Sequence, residues 1–255
     1  MPFPLIPIIL FVVTMILGEL LRPRPQDNSK AASLKDFTFP TAEETRTIPV
    51  VWGTVKLDAP NFVWYGDLKT NKVTKRVRTG LFSHDNVTLG YRYAVGMHFA
   101  LCHGKVDELQ QILADDKQAW TGSATGTSSF TVDNKRLFGG DEEDDIQAGA
   151  EGGLYAACMF YDGDELQSSD PYLTSILTNN PAYCGVSHLV WKGSRSGVVS
   201  GNYFSGYIGI NQNLKAMAFV VKRIPKYINS SYWTINVGDA NPADVIYEIL
   251  TDDRR

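Results

Sequence analysis

Residues Val87 to His103 read VTLGYRYAVGMHFALCH, and the reading of this stretch decides the fold. Val87, Leu89, Tyr91, Tyr93, Val95, Met97, Phe99 and Leu101 are large and apolar. Between them stand Thr88, Gly90, Arg92, Ala94, Gly96, His98, Ala100 and Cys102. Period-two alternation of this kind predicts a strand with one core face and one small or polar face. At about 3.3 Å per residue it runs on the order of 50 Å, well beyond an ordinary strand. Such a strand either bends at Gly90 or Gly96 or belongs to an unusually tall sheet.

Strands are expected on both sides of it. Thr47 to Leu57 (TIPVVWGTVKL), a turn at Asp58-Ala-Pro60 and Asn61 to Tyr65 (NFVWY) predict two paired strands. A third is expected around Lys72 to Arg78, after a turn at Asn71. Further strands are predicted at Ser129–Val132, Leu154–Tyr161, Val186–Trp191, Tyr203–Ile210, Leu214–Ile224 and Tyr232–Val237. Asp170-Pro171 and Asn241-Pro242 each place a capping side chain before a proline at the first helical position, so two short helices are predicted there. The fold class is α+β and β-rich.

The first residues differ from this body. Pro4 to Leu21 (PLIPIILFVVTMILGELL) are apolar apart from Thr14, Gly18 and Glu19. As a helix they span about 27 Å, the lower edge of a bilayer core. No Lys or Arg precedes the run and no small-residue cleavage pattern follows, which speaks against a secretory signal. The chain therefore divides into an apolar segment at 1–25, an extended linker at 26–46 and a β-rich region at 47–255, with 105–185 as a candidate inserted subdomain. Ile8, Ile9, Val12, Val13, Ile16, Leu17 and Leu20 are the candidate oligomer-core or membrane-contact residues. A strand-and-turn segment broken by Pro2, Pro4 and Pro7 is the competing local reading.

Composition narrows the function. The chain has 255 residues, with 24 Lys and Arg against 28 Asp and Glu, a formal charge of −4. A protein that grips nucleic acid through its phosphates shows a basic surplus instead, so that class is disfavoured. The three cysteines are too few and too far apart for a disulfide framework, and Cys102, Cys158 and Cys184 are expected as buried small apolar residues. His98 and Cys102 have helical ligand spacing, but on a strand they stand about 13 Å apart.

The acidic run Asp141 to Asp145 lacks the spacing of a calcium loop and is expected as a solvated loop tip. Gly193-Ser-Arg-Ser-Gly197 has Arg195 where a nucleophile elbow carries serine, and Gly122-Ser-Ala-Thr-Gly126 lacks the lysine of a phosphate loop. No acid, base and nucleophile assemble, so neither an enzyme nor a metal or other cofactor is expected.

Five stretches together resemble the hub, or tail-tip, proteins of long-tailed bacteriophages and related gene-transfer particles. They are Pro40–Asp67 (PTAEETRTIPVVWGTVKLDAPNFVWYGD), Tyr91–Gly104 (YRYAVGMHFALCHG), Pro181–Trp191 (PAYCGVSHLVW), Leu214–Pro225 (LKAMAFVVKRIP) and Asn241–Arg254 (NPADVIYEILTDDR). The last is similar to the ending also seen in lambda-type tail-tip proteins.

The resemblance implies tail-tube-like β-sheet or barrel hub domains in a homotrimer. It implies as partners the tail tube and distal tail protein, fibre or central tip proteins, and a tape-measure protein in the lumen. DNA would pass without specific binding, and the apolar N-terminus would plug the lumen or meet the host inner membrane. The location implied is the virion tail tip, with assembly in the host cytoplasm. Family members continue past the segment similar to 241–254, so the chain is expected to be the N-terminal hub region of a longer or split protein. The rival expectation is a membrane-anchored cytoplasmic β-domain protein that uses residues 4–21 as a permanent span.

Overall fold

The computed structural model describes residues 30–37, 47–58, 60–78, 84–225 and 240–251. The apolar segment and its seven candidate residues, Ile8, Ile9, Val12, Val13, Ile16, Leu17 and Leu20, lie outside this range, as does the strand expected at Tyr232–Val237. The described body is β-rich with a few short helices.

The alternating stretch forms β3 (His84–His103), which is 20 residues long. Along one edge it pairs antiparallel with β2 (Asn61–Arg78), an equally uninterrupted strand. The turn expected at Asn71 is absent: Asn71 sits in the ladder opposite Arg92. The ladder is irregular instead at Phe62/Trp64, at Val73/Thr74 and between Gly66 and Lys69, where Asp67 adopts φ 51°. Asp tolerates that left-handed conformation better than most side chains.

β1 (Gly53–Asp58) does not pair with β2, in spite of the turn between them. It pairs with β12 (Met217–Arg223), which pairs with β4 (Glu108–Ala114) and that with β5 (Lys117–Ala124). The second sheet is ordered β11 (Tyr207–Gly209), β3, β8 (Val186–Trp191), β7 (Gly152–Tyr161) and β6 (Ser128–Gly140), with β2 also on β3. β8 and β11 both lie between β3 and β7, at successive levels. They act as one middle strand interrupted by the excursion 192–206. That excursion carries the two-residue hairpin of β9 (Val199–Ser200) and β10 (Tyr203–Phe204), so the single strand expected at Tyr203–Ile210 is split. Residues 105–161 supply β4 and β5 to one sheet and β6 and β7 to the other.

The two sheets enclose one core. Val95, Met97, Phe99 and Leu101 of β3 meet Leu109 and Ile112 of β4 and Phe219 and Val221 of β12. Phe99 and Phe219 touch with ring centroids 5.2 Å apart. Within the stretch read as linker, Ala32 and Phe37 are buried, and Phe37 packs edge-on against Tyr93 at 5.3 Å.

The other face of β3 is also covered, and this explains its small residues. An ideal Cβ on Gly96 would lie 2.3 Å from the Tyr172 hydroxyl oxygen. Tyr172 belongs to α2 (Pro171–Thr174), whose cap is the expected one: the Asp170 carboxylate accepts from the Leu173 amide at 2.9 Å. Tyr172 and Leu173 join Tyr161 and Val190 in a second apolar cluster with Trp64 and Met159 around it. The face predicted as small or polar is therefore an interior one, which faces a third layer.

α1 (Glu143–Gln147) is a five-residue helix inside the acidic run. α3 (Pro242–Thr251) starts where expected, with the Asn241 side chain accepting from the Ala243 amide at 2.9 Å. Asp244 is buried and Glu248 pairs with Arg223, while Ile246, Ile249 and Leu250 are exposed.

Candidate functional site

Behind β3, the small face makes room for a buried imidazole pair. His98 on β3 and His188 on β8 approach at 3.0 Å, Nε2 to Nδ1, through the register that sets Ala100 opposite His188. His188 stacks on Tyr161 at 4.4 Å, and His98 meets the Tyr183 ring edge-on at 4.8 Å. Burial pushes His98 down to about 3, with His188 adding to the effect. Burial likewise lowers His188 to about 4, against a pull upward from the Ala182 carbonyl. One proton serves the short contact, since a second would set two N–H groups against each other. This pair is neutral and structural at pH 7.

Cys102, four residues on, is buried, and burial pushes its thiol up to about 12. No His, Cys, Asp and Glu grouping able to hold a metal occurs among the described residues. Cys158 is buried as expected, whereas Cys184 is exposed, in the loop before β8.

Two carboxylates hold the chain excursions to the sheet. Asp67, at the β2 irregularity, accepts from the Tyr172 hydroxyl at 2.9 Å, the Ser194 hydroxyl at 3.0 Å and the Arg195 amide at 2.8 Å. The Gly193–Gly197 turn is thus a clasp around Asp67. Ser194 donates to a carboxylate that carries no imidazole, so it lacks the base a nucleophile needs.

Asp141 is 1% exposed, which overturns the expectation of a solvated tip for the first residue of the acidic run. It accepts from Arg92 Nε at 2.7 Å and from the hydroxyls of Tyr203 and Tyr207. Burial raises its carboxyl, and the Arg92 guanidinium and the two phenols more than offset this, leaving it below the ordinary carboxylate range. Asp145 pairs with Arg136 and Glu143 with Lys75, so the run is largely engaged by the sheet. Each of these carboxylates is saturated by fixed donors. The geometry builds a rigid frame, and it leaves neither carboxylate placed to exchange a proton with a substrate.

Comparison with known proteins adds little to this geometry. No family model matches the sequence, and no curated protein matches it. Among solved structures, a chain of "Virion of native gene transfer agent (GTA) particle" aligns with a TM-score of 0.37 and 14% identity. The alignment covers 88% of this chain and 38% of that one, so the present chain spans well under half the length of its neighbour. Likeness at that level carries no functional argument.

Proposed function

We propose that this chain is a structural virion protein, the hub at a phage-like tail tip. In this reading three copies join the tail tube and distal tail protein to fibre or central tip components and form the conduit through which DNA leaves. The N-terminal residues 4–21 would close the lumen beside the tape-measure protein or meet the host inner membrane. The chain would be an assembly component with no catalytic activity.

One observation carries the reading. The stretches that resemble tail hubs, scattered from residue 40 to residue 254, become neighbours in the fold. Phe62 to Gly66 of the first pair with Gly96 to Phe99 of the second. Val186 to Trp191 of the third pair with Met97 to His103 of the second. Ala218 to Arg223 of the fourth pair with Gly53 to Asp58 of the first, and Arg223 then binds Glu248 of the last. Unrelated chance matches would have no reason to share ladders in this way.

The experiment is quantitative protein analysis of purified particles, with labelled antibody to place the chain. About three copies per particle at the tube-distal end are expected for a closed cyclic assembly of this kind. Recovery only from detergent extracts of host membranes, and none from particles, would overturn the proposal in favour of a permanent anchor.

A further inference from the structure

A single turn of chain, residues 181–185, closes the His98–His188 pair off from solvent. Tyr183 lies edge-on to His98 at 4.8 Å and tilted against His188 at 5.4 Å. Pro181 and Cys184 are exposed, and Ala182, Tyr183 and Gly185 are half-buried, so solvent begins on the outer side of this turn. Beneath it both rings are buried, and His98 Nδ1 has no hydrogen-bond partner among the described residues.

The turn is strained and is held mainly by one side chain. Tyr183 has φ 54°, a left-handed conformation disfavoured for a bulky residue, and Gly185, at φ 73°, takes that region freely and forms a hinge. Against this strain stands the buried Gln167. Its Nε2 donates to the carbonyls of Ala182 at 3.0 Å, Tyr183 at 2.6 Å and Val186 at 3.1 Å, and its Oε1 accepts from the Gly163 amide at 3.2 Å. The Gly104 amide adds a bond to the Gly185 carbonyl at 2.7 Å, and the Val186 amide one to the Tyr183 carbonyl at 3.0 Å.

Nothing around the rings offers a counter-charge for an added proton. β7 presents Tyr161, stacked on His188, with its hydroxyl donated to Asp170 at 3.0 Å. β2 sets Trp64 opposite His98, the turn supplies Tyr183, and β3 adds only the Cys102 thiol, which burial keeps neutral. Asp170 is already engaged by the Leu173 amide, and in the preceding loop Asp162 and Asp164 pair with Lys105. Burial dominates the titration of both imidazoles, and no carboxylate among the described residues enters it.

We propose that residues 181–185 form an acid-opened flap: protonation of the His98–His188 pair swings the turn outward on Gly185 while both sheets stay folded. An imidazolium pair has to reach water, and the turn is the thin side of its enclosure. On the other face Phe99, Leu101 and the second sheet close the core. Opening breaks the Gln167 clamp and the Gly104 bond, relieves the Tyr183 backbone and leaves the β3–β8 ladder in place. The open form takes up protons that the closed form rejects, so opening is favoured as pH falls below the ordinary histidine value of about 6.5. Each imidazole protonated on opening shifts the balance toward the open form about tenfold between pH 7.5 and 5.5, and the two together about 100-fold. The flap needs nothing from the tail-hub reading, which particle composition tests separately.

The test is amide exchange of the full chain at pH 7.5 and 5.5, read as protection factors, with urea added in steps below the unfolding transition. The reporters are the Gly104 and Val186 amides, which donate into the turn, and the amides of β12 in the other sheet are the reference. Reporter protection is expected to fall about 100-fold between the two pH values and to be indifferent to urea, because a small opening exposes little surface. Exchange in β12 is expected to depend steeply on urea. His98→Asn should reduce the pH effect to about tenfold. Gln167→Ala loosens the clamp without touching a titrating group, so it should lower reporter protection at least about tenfold at both pH values and preserve the ratio between them. Reporter exchange that shares the urea dependence of β12 would overturn the proposal, since the rings would then reach water only by global unfolding. So would reporter protection that is equal at the two pH values, or that Gln167→Ala leaves unchanged.

Discussion

The two halves of β3 share one strand, one partner and one composition rule, yet they live in opposite environments. From Tyr93 to Cys102 every residue is buried; from His84 to Thr88 every residue is exposed or half-buried. The strand's own alternation does not set this difference, since Val87 and Leu89 continue the apolar series without a break. A bulge does. Val73 pairs with Gly90 and Thr74 with Thr88, so Leu89 is the unpaired extra residue, and parity reverses beyond it. Val87 consequently lies on the face opposite Tyr91. One added residue converts the core-facing side of the sheet into the polar front of the hairpin.

The sharpest way to break this comparison is to cut a side chain from each half. Phe99→Ala removes a fully buried ring between the sheets and is expected to cost about 3–5 kcal/mol in urea unfolding. Arg76→Ala, exposed on the hairpin, is expected to stay within about 0.5 kcal/mol. Equal losses would mean that the hairpin is part of the cooperative core.

Asp141→Ala comes next. It strands the Arg92 guanidinium, the buried Tyr207 phenol and the half-buried Tyr203 phenol at the level where the halves meet, for a loss of about 3 kcal/mol. Adding Arg92→Leu is expected to restore part of that loss, because the uncompensated charge is then gone as well. A double variant as weak as the sum of the singles would show that the two groups act independently.

The buried half is also expected to be the acid-sensitive one. His98 and His188 titrate at about 3 and about 4 in the fold, below their usual 6.5, so between those values the unfolded chain binds more protons. Their contribution is complete above about pH 6.5 and is lost as pH falls toward the folded values. The unfolding free energy from urea titration should therefore drop by about 2–3 kcal/mol between pH 7.5 and 5.5, and His98→Asn should remove about half of that slope. An unchanged slope in His98→Asn would assign the acid sensitivity elsewhere. Asp141 acts in a lower window: its depressed carboxyl contributes above the ordinary carboxylate value and fails only as pH falls well beneath it.

Much of the sheet was legible in the sequence because alternation survives any choice of partner. β3, β7, β8 and β12 lie where period two places them, and both Asx-Pro caps start helices. Partner choice was not legible. The Asp58–Pro60 turn suggested a hairpin, but β1 is claimed by β12, more than 150 residues away. The β4–β5 hairpin did leave a signal, in Asp115-Asp116 between two apolar runs; both residues have positive φ, as a tight two-residue turn requires. Asp141 was hidden by its acidic neighbours, since a charge run does not reveal which member is turned inward. The His98–His188 contact depends on register across 90 residues of chain, which no local spacing encodes.

The smallest expected effect tests the bulge itself. Deleting Leu89 would leave Gly90 opposite Val73 and Thr88 opposite Thr74, now as consecutive rungs of a regular ladder. Every distal pair keeps its partner, so Lys72, Arg76 and Arg78 stay on the front and Lys75 stays beside Glu143. What changes is local twist, because a bulge adds right-handed coil to a hairpin. The loss of stability should be about 1 kcal/mol or less, the cost of one half-buried side chain offset by a restored rung. Amide exchange should show new protection at 88 and 90, with the Tyr93–Cys102 core unchanged. If exchange instead rises through the core half, the bulge bears on packing beyond the hairpin, and the two halves of β3 are mechanically one unit.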